Sequence, residues 1–228
     1  MPAKILVVAA TPPVGPGPLG DGLAAAGAKV ELAGPDDGPP ALADLAGLVA
    51  LDASRPENVE ASPLAGTLAD AVAAGLPVLA IGGAALTLAE VLGGGATAGT
   101  APQFGFIDVE AMPVAQADPL LARAGNGLPL LHWHDAGMTL PPGAELLLRC
   151  ERLRPQAFRL GRSYAVLSHL EATAEVIRRW AADLGRRRNN PAFAIRLSGE
   201  LDRHQARAER FAAALAQGWV AQMEEASR

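Results

Sequence analysis

The sequence predicts an α/β protein built around a mostly parallel sheet that helices cover on both faces. Short apolar runs alternate with segments of helical periodicity through the first 95 residues. The apolar runs are too continuous for strands with one face in water, and glycine or proline marks many of the junctions. Strands that alternate with helices at this spacing form a parallel sheet, whose ligands bind at the carboxyl ends of the strands.

The elements of the first half follow from these patterns in chain order. Short apolar runs predict strands over residues 4–10, 29–33, 47–51 and 77–81, and the first of these is rich in β-branched residues. Recurring apolar positions predict helices over residues 21–26, 63–74 and 84–92. Gly27 ends the first of these helices and a run of three glycines ends the last, as glycine commonly does after a helix.

The second half is less regular. Its apolar runs predict strands over residues 104–112, 128–132 and 144–150, followed by a hairpin formed by residues 156–160 and 164–167. Two helices are predicted over residues 172–184 and 203–223. The composition of residues 185–199 predicts a mobile loop between these two helices.

Length and composition bound the protein class. A chain of 228 residues fits a single domain over residues 1–228, with a C-terminal helical extension at about residues 200–224. No apolar run reaches the roughly 18 residues that span a membrane, and residues 4–10 fit a core strand better than a signal peptide. We therefore expect a cytoplasmic protein that does not enter the membrane. Cys150 is the only cysteine, which excludes a disulfide framework and a cysteine-rich metal site.

Charge is distributed unevenly along the chain. Residues 1–148 carry 4 basic and 15 acidic side chains, and residues 149–228 carry 15 basic and 9 acidic ones. Five arginines cluster at residues 178–188. They indicate a solvated helix face or, as the alternative, a site for an anionic partner. No aromatic residues interleave them as base stacking requires, so nucleic-acid binding is not expected.

The segment at residues 75–92 has the pattern of a nucleophile elbow. A buried strand ends in a turn of small residues and continues directly into a helix. Such a turn exposes one side chain beside backbone N–H groups that can stabilise a developing oxyanion. The residue at that point is Gly82, which has no side chain to attack with.

Three further segments accompany the elbow. They are Phe104-Gly105-Phe106, then Trp133-His134 followed by Leu140-Pro141-Pro142-Gly143-Ala144, and finally Gln156-Ala157-Phe158-Arg159 followed by Tyr164 and by His169-Leu170-Glu171-Ala172-Thr173. In this order and spacing, the four segments resemble class I glutamine amidotransferases over about residues 5–180. The resemblance is strongest to free-standing members related to the glutaminase domain of GMP synthase. It implies a flavodoxin-like three-layer α/β/α fold.

The resemblance implies a Cys-His-Glu triad for hydrolysis of the glutamine side-chain amide. By position, His169 would be the base and then the acid, and Glu171 would orient its imidazole. Gly82 stands where the family has its nucleophilic cysteine. The positions that the resemblance assigns to substrate binding are Asp52, Gly83, Leu86, Trp133 and His134. The family has no cofactor, and none is expected here.

The chain also departs from the family at other positions. Residues 51–54 replace a Gly-Gly-Pro turn that completes the family's oxyanion hole, and an inward Asp52 carboxylate would repel an oxyanion. Ala84 and Leu86 replace a glycine and a glutamine after the nucleophile. His132, Asp135 and Ala136 replace the family's glutamine, glycine and aspartate.

Each of these residues also has a structural explanation. His169 and Glu171 are either the remnant of a lost site or a pair that still functions. His132 and His134 alternate on a strand and could bind a metal with Asp135, although such histidines are usually structural and we expect no metal. Cys150 is expected to be a buried side chain rather than a replacement nucleophile. On a strand, Ser168 would face away from His169.

Two functions remain open at this point. The first is a non-catalytic binding protein that has lost glutamine hydrolysis and retains a pocket for a small molecule or a surface for a partner. Family members pass ammonia to a synthase, so a synthase-like protein is the expected partner. The second is a repurposed enzyme that uses His169 as a general base on a substrate other than glutamine.

Overall fold

A computed structural model describes residues 2–10, 15–34, 37, 40–53, 62–97, 103–122, 126–151 and 155–226 of the chain. Eleven strands lie within these ranges: β1 Lys4–Ala9, β2 Lys29–Ala33, β3 Gly47–Asp52, β4 Val78–Gly82, β5 Gly95–Thr97, β6 Gln103–Ala111, β7 Asn126–His134, β8 Gly137–Thr139, β9 Glu145–Arg149, β10 Pro155–Leu160 and β11 Ser163–Val166. The α-helices of the same ranges are α1 Gly17–Ala25, α2 Ala65–Ala73, α3 Gly83–Val91, α4 Ala174–Arg187 and α5 Pro191–Ala226.

Nine of these strands form one sheet. Its order is β2-β1-β3-β4-β11-β10-β9-β6-β7. The first five strands in this order run parallel, and the remaining neighbours pair antiparallel. The predicted α/β class with its parallel sheet is therefore confirmed. A separate antiparallel pair, β5 with β8, was not predicted because each strand has only three residues.

Helices cover both faces of the parallel half of the sheet. Alternate side chains of β1 divide between two buried clusters, with Ile5 in the cluster that contains residues of α1 and α5. Leu6 lies in the other cluster, with residues of α2 and α3. This alternation follows from the two-residue period of a strand and explains why both faces of these strands are apolar.

The predicted loop at residues 185–199 is wrong. Helix α4 continues to Arg187, and α5 begins at Pro191 rather than near residue 203. Asn189 adopts φ 49°, a left-handed conformation that ends α4, and proline is favoured at the first turn of a helix. Leu197 and Leu201 are one helical turn apart and are 1% and 2% exposed, so burial against the sheet stabilises this part of α5.

Helix α5 is 36 residues long. Even so, within the described ranges no helix has the apolar stretch needed to cross a membrane.

Candidate functional site

The candidate site lies where three neighbouring parallel strands end. Strand β4 pairs with β3 on one side and with β11 on the other. The register places Asp52 at the end of β3 beside Gly82 at the end of β4. Because the carboxyl ends of parallel strands meet at one edge of the sheet, His169, which follows β11, is brought to the same place.

Gly82 joins β4 to α3 with φ 66° and ψ −132°. This positive φ is strained for any residue with a Cβ, and glycine adopts it without steric cost. The strand–turn–helix predicted for this segment is therefore present, with the sharp turn that a nucleophile elbow requires. What the turn lacks is a side chain.

The imidazole of His169 lies against Gly82. A Cβ placed on Gly82 would be 2.6 Å from the Asp52 carbonyl oxygen, 2.6 Å from His169 Cε1 and 2.9 Å from His169 Nδ1. These separations are shorter than any normal contact of a Cβ atom. His169 therefore occupies space that a nucleophilic side chain at position 82 would need.

His169 and Glu171 form the pair that the sequence predicts. Nδ1 of His169 lies 2.7 Å from Oε1 of Glu171, and the two residues are 5% and 1% exposed. With Glu171 Oε1 accepting a hydrogen bond from the Nδ1–H of His169, Nε2 is left as the basic nitrogen of the imidazole. Oε2 of Glu171 has no hydrogen-bond partner among the residues that the structure describes.

Backbone contacts hold this pair in place from two sides. The His169 N–H donates to the Leu131 carbonyl of β7 at 2.8 Å, which attaches the chain after β11 to the far edge of the sheet. On the other side, Gly17 at the start of α1 has φ 42° and packs so closely on the Glu171 carbonyl that a Cβ there would overlap it. The position of the pair is thus set by the fold rather than by a flexible loop.

An aromatic cluster covers the other side of His169. Trp180 of α4 meets the imidazole edge-on, with ring centroids 5.2 Å apart. Trp133 of β7 packs on Trp180 at 5.5 Å and on Phe104 of β6 at 5.1 Å. Trp133, expected to contact substrate, is 8% exposed and packs within this cluster.

A second hydrogen-bonded chain of buried residues lies beside the pair. The Ser168 hydroxyl is 3.2 Å from Nε2 of His132, and Nδ1 of His132 is 3.2 Å from Nε2 of His134. All three residues are less than 8% exposed. The sequence placed the two histidines on one side of a strand, and the structure brings them together. No pattern in the sequence indicates the hydrogen bond between His132 and Ser168, because the two residues are 36 positions apart.

Burial keeps both His132 and His134 neutral near pH 7. The pKa of His134 is lowered to about 4, first by burial and then by the nearby His169, while a hydrogen bond with the backbone of Ala136 acts in the opposite direction. The pKa of His132 lies well below its usual value, first because it is buried and then because of His134 and His169. Within the described ranges, no group of three or more His, Cys, Asp or Glu residues is placed to hold a metal ion.

The remaining predicted positions lie around the elbow. Asp52 is 2% exposed and sits directly beside Gly82, so a buried carboxylate is present where the family has a turn that binds an oxyanion. Gly83 is the first residue of α3. Leu86, also in α3, is 1% exposed and packs in the buried cluster of the α2 and α3 face. Ser54 lies outside the described residues.

Cys150 lies away from the elbow in the sheet. It follows β9, and β11 and β10 lie between β9 and β4 in the sheet order. The thiol is buried, and its Sγ accepts hydrogen bonds from Nε2 of Gln103 at 3.4 Å and from Nε2 of Gln156 at 3.3 Å. These contacts fit the predicted structural role of this cysteine.

Solved structures share this fold. A glutamine amido transferase from Methylobacillus flagellatus superposes with a TM-score of 0.83 at 24% identity, covering 97% of this chain and 95% of that one. A glutamine amidotransferase from Thermotoga maritima also gives 0.83, at 18% identity over 96% of this chain and 99% of that one. A putative GMP synthase subunit protein from Thermoplasma acidophilum gives 0.68 at 18% identity, covering 100% of this chain and 98% of that one.

No family model and no curated protein matches the sequence itself. At these identities the structural likeness establishes the fold, which is that of glutamine amidotransferases. The expected family architecture is thus confirmed.

A Gly82→Ala substitution tests the crowding at the elbow. We expect it to lower the free energy of unfolding by about 3 kcal/mol, because the new Cβ is strained by the positive φ and collides with Asp52 and His169. Gly66→Ala is the matched control, since Gly66 lies in α2 with no atom within 4 Å of the position that a methyl group would take. It should change stability by no more than about 1 kcal/mol. If urea unfolding shows that Gly82→Ala and Gly66→Ala lower the free energy of unfolding equally, position 82 is not crowded.

The depressed pKa of His134 predicts how stability depends on pH. The folded protein keeps His134 neutral down to about pH 4, whereas the unfolded chain takes up a proton below about pH 6.5. Neutral His134 therefore makes its full contribution to the free energy of unfolding above pH 6.5. This contribution is lost as the pH falls toward 4, and the loss is about 2 kcal/mol at pH 5. Urea unfolding measures this effect. When the pH is lowered from 7.5 to 5, the free energy of unfolding of the native protein should fall by about 2 kcal/mol more than that of His134→Gln.

The comparison between pH 7.5 and 8.5 is the control, because neither state takes up a proton at His134 in that interval. Parallel curves for the two proteins down to pH 5 would show that His134 is accessible to protons in the folded state.

Proposed function

We propose that this chain is a protein of the glutamine amidotransferase fold that does not hydrolyse glutamine and acts as a ligand- or partner-binding subunit. The observation that carries this proposal is the geometry at Gly82. The elbow has the backbone conformation that would present a nucleophile, but it has no side chain, and His169 fills the adjacent space.

The surroundings of the elbow also weigh against an acyl-enzyme mechanism. Attack on an amide carbonyl produces an oxyanion, which needs hydrogen-bond donors and the absence of nearby negative charge. Asp52 is buried beside Gly82, and a carboxylate directed toward the elbow would raise the energy of such an oxyanion. Cys150 cannot replace the missing thiol without leaving its two glutamine partners and crossing two strands.

A partner-binding role is supported by what similar proteins are called. The Thermoplasma acidophilum protein is named as a subunit of a GMP synthase. A subunit of this kind works beside another protein, and we propose the same kind of association for this chain. A synthase-like protein is therefore the first partner to test, with a small-molecule ligand at the elbow as the second possibility.

Ammonia release from L-glutamine tests the loss of hydrolysis. The purified chain should release no more ammonia than buffer, and Cys150→Ser should behave identically, because no thiol reaches the elbow. Gly82→Cys should remain inactive as well, since its Cβ would meet Asp52 and His169. Release by the native chain that persists in Cys150→Ser would overturn the proposal. Recovery in Gly82→Cys would show that His169 and the β3 end move aside easily.

A second function is favoured by one observation, the intact hydrogen bond between His169 and Glu171 at 2.7 Å. An imidazole oriented in this way can act as a general base on water without a covalent intermediate. Loss of such a base commonly costs 10²–10⁴ in rate.

The second function predicts that hydrolysis of a panel of chromogenic esters and amides depends on His169. The rate should fall by about 100-fold or more in His169→Ala and fall less in Glu171→Gln. The binding-subunit proposal expects equal background rates in all three proteins.

A further inference from the structure

A groove runs between α4 and the first part of α5 on the surface of the molecule. Two cavities lie along it, with volumes of about 190 Å³ and 470 Å³. Ala194 lines both of them, so they form neighbouring parts of one depression. The groove does not involve Gly82 or the His169–Glu171 pair, and the inference drawn from it does not depend on the proposed function.

One face of each helix forms the walls of the groove. The α4 residues that line it recur in pairs at the spacing of one helical turn: Ile177 and Arg178, Ala181 and Ala182, Gly185 and Arg186. The lining residues of α5 also recur at intervals of about one helical turn: Pro191, Ala194, Leu197, Ser198 and Leu201. At 1.5 Å per residue the α4 wall is about 14 Å long, enough for two to three turns of a docked helix.

The floor of the groove is apolar, and several residues of its walls have small side chains. Ile177, Leu197 and Leu201 are 1–2% exposed, and they belong to the buried cluster that packs on β7. Alanine and glycine supply four of the nine remaining lining residues, which leaves room for larger apolar side chains from outside. Ile195, one position from Ala194, is 76% exposed and adds apolar surface next to the groove.

Two arginines, Arg178 and Arg186, line the groove and belong to a positively charged segment. Residues 174–200 contain six arginines and three acidic residues. Asp183 already pairs with Arg186 and Arg187, and Glu200 pairs with Arg196. Arg178, exposed on the groove wall, has no carboxylate within ion-pair distance among the described residues. The surface therefore has positive charge that its own acidic residues do not neutralise.

We propose that this groove is the docking site for an acidic amphipathic helix of a partner protein. Apolar side chains spaced one turn apart would enter the two cavities, and carboxylates on their flanks would pair with Arg178 and its neighbours. This is the helix-in-groove type of recognition, in which the apolar anchors give affinity and the charges give orientation and rate.

A defined peptide tests the proposal. The probe is a fluorescein-labelled, side-chain-stapled helix of about 12 residues, with leucines one turn apart and glutamates elsewhere, because an unstapled helix of this length is unstable in water. Fluorescence anisotropy should show saturable binding that weakens as salt is raised. The same peptide with lysine in place of each glutamate should bind at least tenfold more weakly.

Variants of the chain locate the binding to the groove. Ala194→Phe fills the point where the cavities meet, and Arg178→Glu reverses a charge on the groove wall; each should raise the Kd of the acidic peptide at least tenfold. Arg210→Glu is the matched control, because it makes the same charge change at an exposed position of α5 outside the groove. It should change the Kd less than twofold. Circular dichroism establishes that each variant is folded, and Arg178→Glu alters only an exposed side chain.

Three outcomes would overturn the proposal. The first is no saturable binding of the acidic peptide, and the second is equal binding of the acidic and basic peptides or of the native and Arg178→Glu proteins. The third is a dimer in light scattering that Ala194→Phe dissociates, which would assign the groove to a second copy of this chain.

Discussion

The parallel pairing of β4 with β3 and β11 is the constraint on which the site depends. It brings the ends of three strands to one edge of the sheet, so Asp52, Gly82 and His169 become neighbours although 117 residues separate the first from the last. Both faces of these strands are buried, so shifting the register would move apolar side chains out of two buried clusters at once. The elbow conformation at Gly82 is therefore maintained by the core of the protein and persists without any catalytic side chain.

Glycine at the elbow has a physical consequence for the residues around it. A residue with a Cβ at an elbow is strained by its positive φ, whereas glycine adopts this conformation freely. The space next to a glycine also admits a neighbour, and here the imidazole of His169 lies within it. The hydrogen bond to Glu171 and the edge-on contact with Trp180 hold the imidazole there. A residue with a side chain at position 82 would thus require a coordinated change at several positions.

The sequence predicts those parts of the molecule that depend on local pattern. Continuous apolar runs identified β1 to β4 to within one residue at either end, and glycine at the elbow was evident because the scaffold around it is so regular. The start of α5 was missed because residues 185–199 combine glycine, arginines and an Asn-Asn-Pro sequence, which locally favour a loop. The first part of α5 is stabilised because Leu197 and Leu201 pack on β7, and no local sequence pattern predicts this contact. The link between Ser168 and His132 was missed for the same reason.

Helix α4 connects the two regions of interest. On one face, Trp180 contacts the imidazole of His169, and on another, Arg178 and Ala182 line the groove against α5. A helix moves as a rigid element, so an occupant of the groove that shifted α4 would also shift Trp180 relative to His169. Linkage then requires the reverse effect: a molecule that displaced Trp180 at the elbow would change the affinity of the groove by the same factor. Strand β7 is a second link, because Leu131 accepts a hydrogen bond from the His169 N–H and belongs to the buried cluster that contains Leu197 and Leu201.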